Sequence, residues 1–214
     1  MGWWEDRALP RIVDAVLGTG AFAKVRTEVC AGLVGDVLEL GFGSGPNLPF
    51  LPPEVTGIWA VEPSSGALRL ASERVATSRV PVFTGTLDGA RLPFADARFD
   101  AALSTMTLCT IPDVGAALAE VRRVLKPGAE FHFAEHGRAD DAATARLQAR
   151  LTPVQRRVAG GCHLDRAIDD IITGAGFEIV ALRRFRLDGP ALFGSMYLGR
   201  ARVPDRYAPG LPEG

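Results

Sequence analysis

Five short apolar runs alternate with helical or turn segments along the chain, and this alternation restricts the fold more than any other feature. The runs read DVLELG, GIWAVE, VPVFTG, FDAALSTM and AEFHFAEH, at residues 36–41, 57–62, 80–85, 99–106 and 129–136. Short runs that are apolar almost throughout are typical of strands covered by helices on both faces. Their order predicts an α/β protein built on one largely parallel sheet.

The clearest helix is predicted between the fourth and fifth of these strands. Its apolar stripe has a 3.6-residue period and consists of Val114, Ala117, Leu118, Val121 and Leu125. Asp113 can cap its first turn, and the Lys-Pro-Gly sequence at 126–128 is predicted to end it. Residues 137–176 are predicted to form a helical insertion, followed by two final strands at 178–185 and 191–199.

Length and composition bound the organisation and the class of partner. The chain has 214 residues, so we predict one domain over 1–203 and a loose tail over 204–214. Its 24 Lys and Arg nearly balance 25 Asp and Glu, which argues against a nucleic-acid substrate. The start of the chain lacks the pattern of a secretory signal, and the apolar run at 12–25 is interrupted by charges. We therefore expect a cytoplasmic protein without integral membrane contact, and the oligomeric state stays open.

The three cysteines are Cys30, Cys109 and Cys162, and they are widely spaced along the chain. No C-x-x-C pair occurs, so the spacing predicts neither a disulfide framework nor a metal site. Cys162 is interpreted as a small buried residue rather than a nucleophile.

The glycine cluster after the first strand is the most informative motif. Gly41, Gly43 and Gly45 lie between a strand and a predicted helix, where glycine lets the backbone approach a ligand. Glu62 ends the next strand and can accept hydrogen bonds from ribose hydroxyls. A dinucleotide site would need a third glycine where this chain has Pro46, so the pattern favours another ribose-containing cofactor. A glycine turn without a ligand is the alternative.

The glycine segment VLELGFGSGPN, the stretch TLDGARLPFADARFD at 86–100 and the stretch EVRRVLKPGAEFHFAEH at 120–136 stand in a fixed order. Together they resemble the class I S-adenosylmethionine-dependent methyltransferases, in the group called type 11, over residues 26–200. The resemblance implies a doubly wound Rossmann-like sheet of seven strands in the order 3-2-1-4-5-7-6, with the seventh strand antiparallel. It also implies S-adenosylmethionine as the cofactor and a small-molecule acceptor as the partner.

The resemblance carries cofactor-binding roles to four parts of the chain. The glycine loop, with the acid before it, would meet the methionine part. The acid after the second strand would hold the ribose, a turn after the third strand would meet the adenine, and the end of the fourth strand would flank the sulfonium. These residues are Glu39, Gly41, Phe42, Gly43, Gly45, Asn47, Glu62, Pro63, Asp88, Gly89, Ser104 and Thr105.

Three of these assignments have an open alternative. Phe42 departs from the family, which has a small residue or cysteine there, and we expect it to pack over the cofactor. Asp88 could instead be an ordinary turn or capping aspartate. The polar pair at 104–105 could be simple strand-end residues.

The acceptor is expected at the carboxyl ends of the fourth and fifth strands, because open α/β sheets bind ligands there. The insertion at 137–176 and a helical segment at 1–30 would form a lid over this site. His136 and His163 are the candidate catalytic residues, since an imidazole could take a proton from the acceptor or steady its anion. His132 lies within the fifth strand and is interpreted as a packed or hydrogen-bonded histidine.

Three further segments narrow the reaction: STMTLCTIPD at 104–113, AEHGRADD at 134–141 and GGCHLDR at 160–166. They are similar to the methyltransferase-like enzymes that methylate the sulfur of small thiols. The sequence therefore predicts S-methylation of a small thiol. Two alternatives stay open: C- or O-methylation of a quinone, phenol or lipid-like molecule, and a cofactor-binding partner protein without catalysis.

Overall fold

The structure is a computed structural model that describes residues 9–17 and 20–205. Helices and strands alternate as the apolar runs predict. The elements are α1 (Leu9–Leu17), α2 (Gly20–Cys30), β1 (Gly35–Leu40), a 3₁₀ turn (Leu48–Phe50), β2 (Val55–Glu62), α3 (Ser65–Ala76), β3 (Val82–Thr86), β4 (Phe99–Thr105), α4 (Val114–Val124), β5 (Leu125–His136), α5 (Ala142–Val158), α6 (Ile168–Gly174), β6 (Glu178–Arg186) and β7 (Ser195–Arg202).

The seven strands form one sheet in the order β3-β2-β1-β4-β5-β7-β6, which confirms the predicted topology. All the strand pairs among β1–β5 are parallel, and β7 is antiparallel to both β5 and β6. The carboxyl ends of β1, β2, β4 and β5 therefore meet at one edge of the sheet.

The fifth strand begins four residues earlier than predicted, because the Lys-Pro-Gly sequence lies inside it. The pairing of β4 with β5 is irregular between Phe99 and Ala101, and Gly128 has a positive φ of 76°. A bulge of this kind accommodates a proline that cannot donate to the ladder. The Gly128 N–H donates to the carbonyl of Val203 at 3.0 Å, so the segment still pairs with the chain after β7.

The last strand begins later than predicted, at Ser195 rather than residue 191. Residues 190–194 form the turn between β6 and β7, where the Phe193 N–H donates to the Pro190 carbonyl at 3.1 Å. The Leu187 N–H donates to the Gly194 carbonyl at 2.9 Å and closes the hairpin. The apolar residues at the start of the predicted strand therefore belong to a turn.

The predicted helix is α4, and its cap is confirmed because Asp113 Oδ1 accepts from the Ala116 N–H at 2.9 Å. The insertion at 137–176 contains α5 and α6. Neighbouring strand residues point to opposite faces of the sheet. Leu38 belongs to a core cluster with Leu118 of α4, whereas Val37 belongs to a second cluster with Val29 of α2.

None of the helices formed by residues 9–17 and 20–205 combines the length and the apolar composition needed to cross a bilayer. Parts of two predicted segments lie outside the described residues. These are residues 1–8, 18 and 19 of the lid at 1–30, and residues 206–214 of the tail at 204–214.

Candidate functional site

The loop after β1 is held against the ends of two neighbouring strands. The N–H groups of Gly41 and Phe42 donate to the carbonyl of Val61 in β2 at 2.9 and 3.3 Å. Gly41 has a φ of 76°, and a Cβ placed on it would lie 2.0 Å from Oγ1 of Thr107. Glycine at this position therefore lets the loop after β4 approach the loop after β1.

Gly43 in this loop lies next to Glu62, the last residue of β2. The Gly43 N–H donates to Oε2 of Glu62 at 2.8 Å, and the Ser64 N–H donates to Oε1 at 2.8 Å. Each carboxylate oxygen keeps a further lone pair, so the group can also accept from ribose hydroxyls. Burial raises the pKa of Glu62, and these two backbone bonds oppose the rise. A Cβ on Gly43 would meet no atom of the described residues within 4 Å, which leaves room among them for a bound molecule.

A buried polar chain lies beneath the glycine loop. Arg26 of α2 donates to Oδ1 of Asn47 at 2.6 Å, and the Asn47 amide donates to Oε1 of Glu39 at 2.7 Å. Asn47 also donates to Oγ1 of Thr105 at 3.0 Å. The second oxygen of Glu39 is buried and has no hydrogen-bond partner among the described residues. An acceptor held in this way suits a ligand that brings a cationic donor, such as the ammonium group of an amino acid.

Glu39 is expected to make stability depend on pH in the absence of ligand. Burial raises its pKa from the ordinary value near 4.5 to about 7, while Asn47 and Arg26 oppose the rise and Glu62 adds to it. A folded-state pKa above the unfolded one means that stability is fully present below pH 4.5 and is lost as the pH rises through 7. Glu39→Gln should remove this loss of stability, which the pKa difference puts at about 3 kcal/mol. Urea unfolding at pH 5 and pH 8 measures it.

The matched control is Glu73→Gln, which changes an exposed glutamate on α3 and should leave the pH profile as in the wild type. Profiles for Glu39→Gln and the wild type that stay parallel between pH 5 and pH 8 would contradict the burial argument. Added cofactor should reduce the difference, because a bound ammonium group would favour the ionised carboxylate.

Glu135 organises the chain that follows β4. Its Oε1 accepts from Ser104 Oγ at 2.7 Å, and its Oε2 accepts from the N–H groups of Thr107 and Leu108 at 2.7 and 3.0 Å. Burial raises the pKa of Glu135 to about 7. Met106 adopts a φ of 55°, a conformation that a side chain rarely takes outside constrained sites. Sequence reasoning did not identify Glu135 as a residue that shapes the site.

Four of the predicted cofactor-binding side chains are fully buried, and among the described residues Glu39 differs from the other three in having an oxygen without a hydrogen-bond partner. Phe42 is fully buried in the core cluster that contains α2, and Gly45 packs against its ring. Phe42 therefore packs within this core, and its expected contact with the cofactor stays a prediction. Asn47 and Ser104 are also fully buried, so they position neighbouring groups through hydrogen bonds.

The turn after β3 matches the alternative interpretation, in which Asp88 is an ordinary turn aspartate. Asp88 is exposed and its Oδ1 accepts from the Ala90 N–H at 2.9 Å, as an ordinary turn aspartate does. A Cβ on Gly89 would lie 2.8 Å from Cδ1 of Leu40, so this turn packs closely on the end of β1. Pro63 is exposed directly after β2. Contacts of these residues with adenine and ribose stay predictions.

The two helices described in the segment at 1–30, α1 and α2, both contact residues of the glycine loop and its continuation. Asp14 of α1 accepts a hydrogen bond from Ser44 and forms an ion pair with Arg74 of α3, at 2.8 Å. Arg26 of α2 reaches the buried polar chain beneath the loop. Sequence reasoning identified neither residue, because their partners lie far along the chain. A charged residue on the buried face of a helix was the only signal available for Arg26.

The three histidines have different surroundings. His132 is buried and its Nδ1–H donates to the Val29 carbonyl at 2.8 Å, while Glu130 lies 3.4 Å from Nε2, so its prediction as a hydrogen-bonded histidine is confirmed. His163 is partly buried, and its backbone N–H donates to the Cys109 carbonyl at 2.8 Å. Burial lowers the pKa of His163, and nearby arginines lower it further.

His136 lies in a cluster with two of the cysteines. Its Nε2 lies 3.0 Å from Sγ of Cys162, and the ligand atoms of Cys109, Cys162 and His136 all lie within 4.8 Å of one another. A hydrogen bond from Cys109, followed by the contact with His136, lowers the pKa of Cys162 to about 5, and the pKa of Cys109 is raised. The wide spacing of the cysteines in the sequence therefore does not keep them apart in the fold.

Comparisons with known proteins agree with this geometry. A family model described as a methyltransferase domain matches residues 38–133. Thiol S-methyltransferase TMT1B of Rattus norvegicus is 32% identical over 150 residues, which cover 68% of this chain and 61% of that protein. Demethylmenaquinone methyltransferase of Mycolicibacterium paratuberculosis is 31% identical over 141 residues, which cover 66% of this chain and 54% of that protein. The match with TMT1B thus spans about three fifths of its length.

The same fold occurs in solved structures. A SAM-dependent methyltransferase from Methanosarcina mazei superimposes with a TM-score of 0.63 at 20% identity, over 79% of this chain and 92% of that chain. Because the sheet topology, the family model and the curated relatives all agree, we assign the chain to the class I methyltransferase family, whose cofactor is S-adenosylmethionine.

Proposed function

We propose that this protein transfers a methyl group from S-adenosylmethionine to the sulfur of a small thiol. The observation that carries the proposal is its similarity to the thiol S-methyltransferase TMT1B. The cofactor supplies, when bound, a methyl group already activated by a sulfonium. The protein therefore has to align the acceptor and exclude water, and it needs no metal or covalent step for the transfer itself.

The residues proposed to hold the cofactor are those of the glycine loop and its surroundings. The space at Gly43 and the carboxylate of Glu62 suit the ribose side. The unpartnered oxygen of Glu39 suits the ammonium group of the methionine part. Thr105, partly buried at the end of β4, would flank the sulfonium.

The proposed acceptor space lies beyond Thr105, where the chain after β4 is held by Glu135. The partly buried side chains there belong to Met106 and Thr107, which are uncharged. Such a surface suits a small neutral acceptor, and a thioether side chain suits a sulfur compound. We propose His163 as the imidazole that contacts the acceptor from the segment after α5.

We further propose that the segment at 1–30 and the insertion at 137–176 act as a lid over this edge, within one domain over 1–203. The contacts that support this are those of Asp14 with Ser44 and of Arg26 with Asn47. Both tie the first two helices to the cofactor loop, so opening the lid would break charged hydrogen bonds.

The substrate class can be tested with purified protein, labelled S-adenosylmethionine and a panel of hydrogen sulfide, alkyl thiols, aromatic thiols, phenols and quinols. We expect label in a thioether product, and His163→Ala should lower kcat/KM by about 100-fold, the scale of one positioned acid–base group. His132→Gln is the matched control, because His132 faces Val29 and Glu130 instead of the acceptor edge.

Methylation of a quinol by a protein that leaves every thiol unlabelled would contradict the thiol proposal. It would support the second candidate, C-methylation of a quinone-like acceptor, which the similarity to demethylmenaquinone methyltransferase favours. Cofactor binding without transfer to any acceptor would contradict both.

A further inference from the structure

Cys109, His136 and Cys162 come from three separate parts of the chain. Cys109 follows β4, His136 ends β5, and Cys162 follows α5. Their exposed fractions are 2%, 5% and 8%, so all three side chains are withdrawn from solvent. Leu164 and Ala159 pack around the two cysteines. Two sulfurs and an imidazole are thus buried together in a cluster that the transfer reaction does not require.

The backbone holds the two cysteine segments in fixed relation. The His163 N–H donates to the Cys109 carbonyl at 2.8 Å. Arg166 donates to the Ile111 carbonyl at 2.8 Å and also to the carbonyl of Leu108. These bonds join the loop after β4 to the segment after α5, directly beside the sulfurs. The cluster is therefore positioned by its surroundings and does not depend on chance contacts between flexible side chains.

The distances suit a tetrahedral metal ion. Sulfur and nitrogen ligands around zinc stand about 3.5–3.8 Å apart, given bonds of about 2.3 and 2.0–2.1 Å. These values lie between the Nε2–Sγ distance of 3.0 Å and the 4.8 Å within which all three ligand atoms lie of one another. Nδ1 of His136 has no partner among the described residues, so it can keep the ring proton while Nε2 offers its lone pair.

The charges also balance for a divalent ion. Two thiolates and a neutral imidazole with Zn²⁺ give a neutral centre, which a buried apolar surrounding tolerates far better than separate charges. Thiolate and imidazole ligands select zinc over harder cations such as Mg²⁺ or Ca²⁺.

We propose that Cys109, His136 and Cys162 form a zinc site beside the acceptor edge, with three protein ligands and one position left for a small fourth ligand. Zinc binding displaces the protons that the thiols carry when no metal is bound. The site is separate from the cofactor residues, so it can be tested without cofactor or acceptor.

The test uses tag-free protein that has been reduced with a phosphine, stripped with a chelator and reconstituted with Zn²⁺ or Co²⁺. A thiol reductant is avoided because it would compete for the metal. We expect one zinc per chain after gel filtration and, with Co²⁺, the absorption bands of thiolate coordination. Cys109→Ala and Cys162→Ala should each weaken binding by more than the roughly 10–100-fold that loss of an outer-shell partner costs.

Cys30→Ala is the matched control, because Cys30 is the third buried free cysteine and lies in the core at the end of α2. It should bind zinc like the wild type. Circular dichroism checks the fold of each variant, and His136→Asn provides a ligand change that leaves both sulfurs in place. Wild-type protein that retains no zinc, or Cys109→Ala and Cys162→Ala proteins that bind as tightly as Cys30→Ala, would overturn the proposal.

The outcome is independent of the thiol proposal. Zinc binding without methylation of any thiol would leave the metal site standing and remove the acceptor assignment. Thiol methylation by a protein that binds no zinc would do the reverse.

Discussion

Gly43→Val is expected to weaken binding of S-adenosylmethionine by roughly 100-fold while leaving the fold largely intact. A Cβ at this position meets no atom of the described residues within 4 Å, so the new side chain would occupy the space next to Glu62 that we assign to the cofactor. Steric overlap between the valine side chain and the cofactor should cost about 2–3 kcal/mol, which reduces affinity by roughly 100-fold. Gly43 has a φ of 58°, so valine should also cost about 1–2 kcal/mol of stability. Calorimetric titration and urea unfolding measure the two effects separately.

The control for backbone strain is Gly189→Val, which lies between the end of β6 and the turn at 190–194. Gly189 also has a positive φ, of 136°, and open space around its missing Cβ, but it lies far from the cofactor loop in the sequence and follows β6. It should lose stability and keep its affinity for the cofactor. Normal binding by Gly43→Val, or competition by NADH for the wild-type site, would show that the loop holds something else.

The positions of the strands along the chain could be predicted from the sequence, whereas two of their starts could not. Apolar runs mark buried strands wherever they occur, and the resemblance supplied both the order of the strands in the sheet and the antiparallel direction of the seventh. The start of β5 depends on a bulge at Lys126–Gly128 that forms against β4 and the chain after β7. The start of β7 depends on the turn at 190–194, which pairs with the end of β6. Such pairings are long-range and leave no local pattern.

The cofactor side of the site was more predictable than the acceptor side for a related reason. Gly43 and Glu62 follow adjacent parallel strands, so their proximity follows from the topology alone. Arg26, Asn47 and Glu39 meet because α2 packs on the sheet, and nothing in their spacing indicates it. The same holds for Cys109 and Cys162, which come together only because the segment after α5 returns to the end of β4.

Glu62→Ala is expected to weaken S-adenosylmethionine binding by about 2–4 kcal/mol, or roughly 30–1,000-fold, if its carboxylate accepts two ribose hydroxyls. The same change frees the N–H groups of Gly43 and Ser64, so part of the loss would come from a less ordered loop. Glu62→Gln separates the two contributions, because its amide oxygen can still accept one of these bonds but carries no charge. Its affinity should lie between those of Glu62→Ala and the wild type. The exposed Glu73→Gln should bind normally in the same calorimetric titration. Unchanged affinity in Glu62→Ala would mean that the ribose is held elsewhere, and an equal loss in both Glu62 variants would assign the effect to the negative charge.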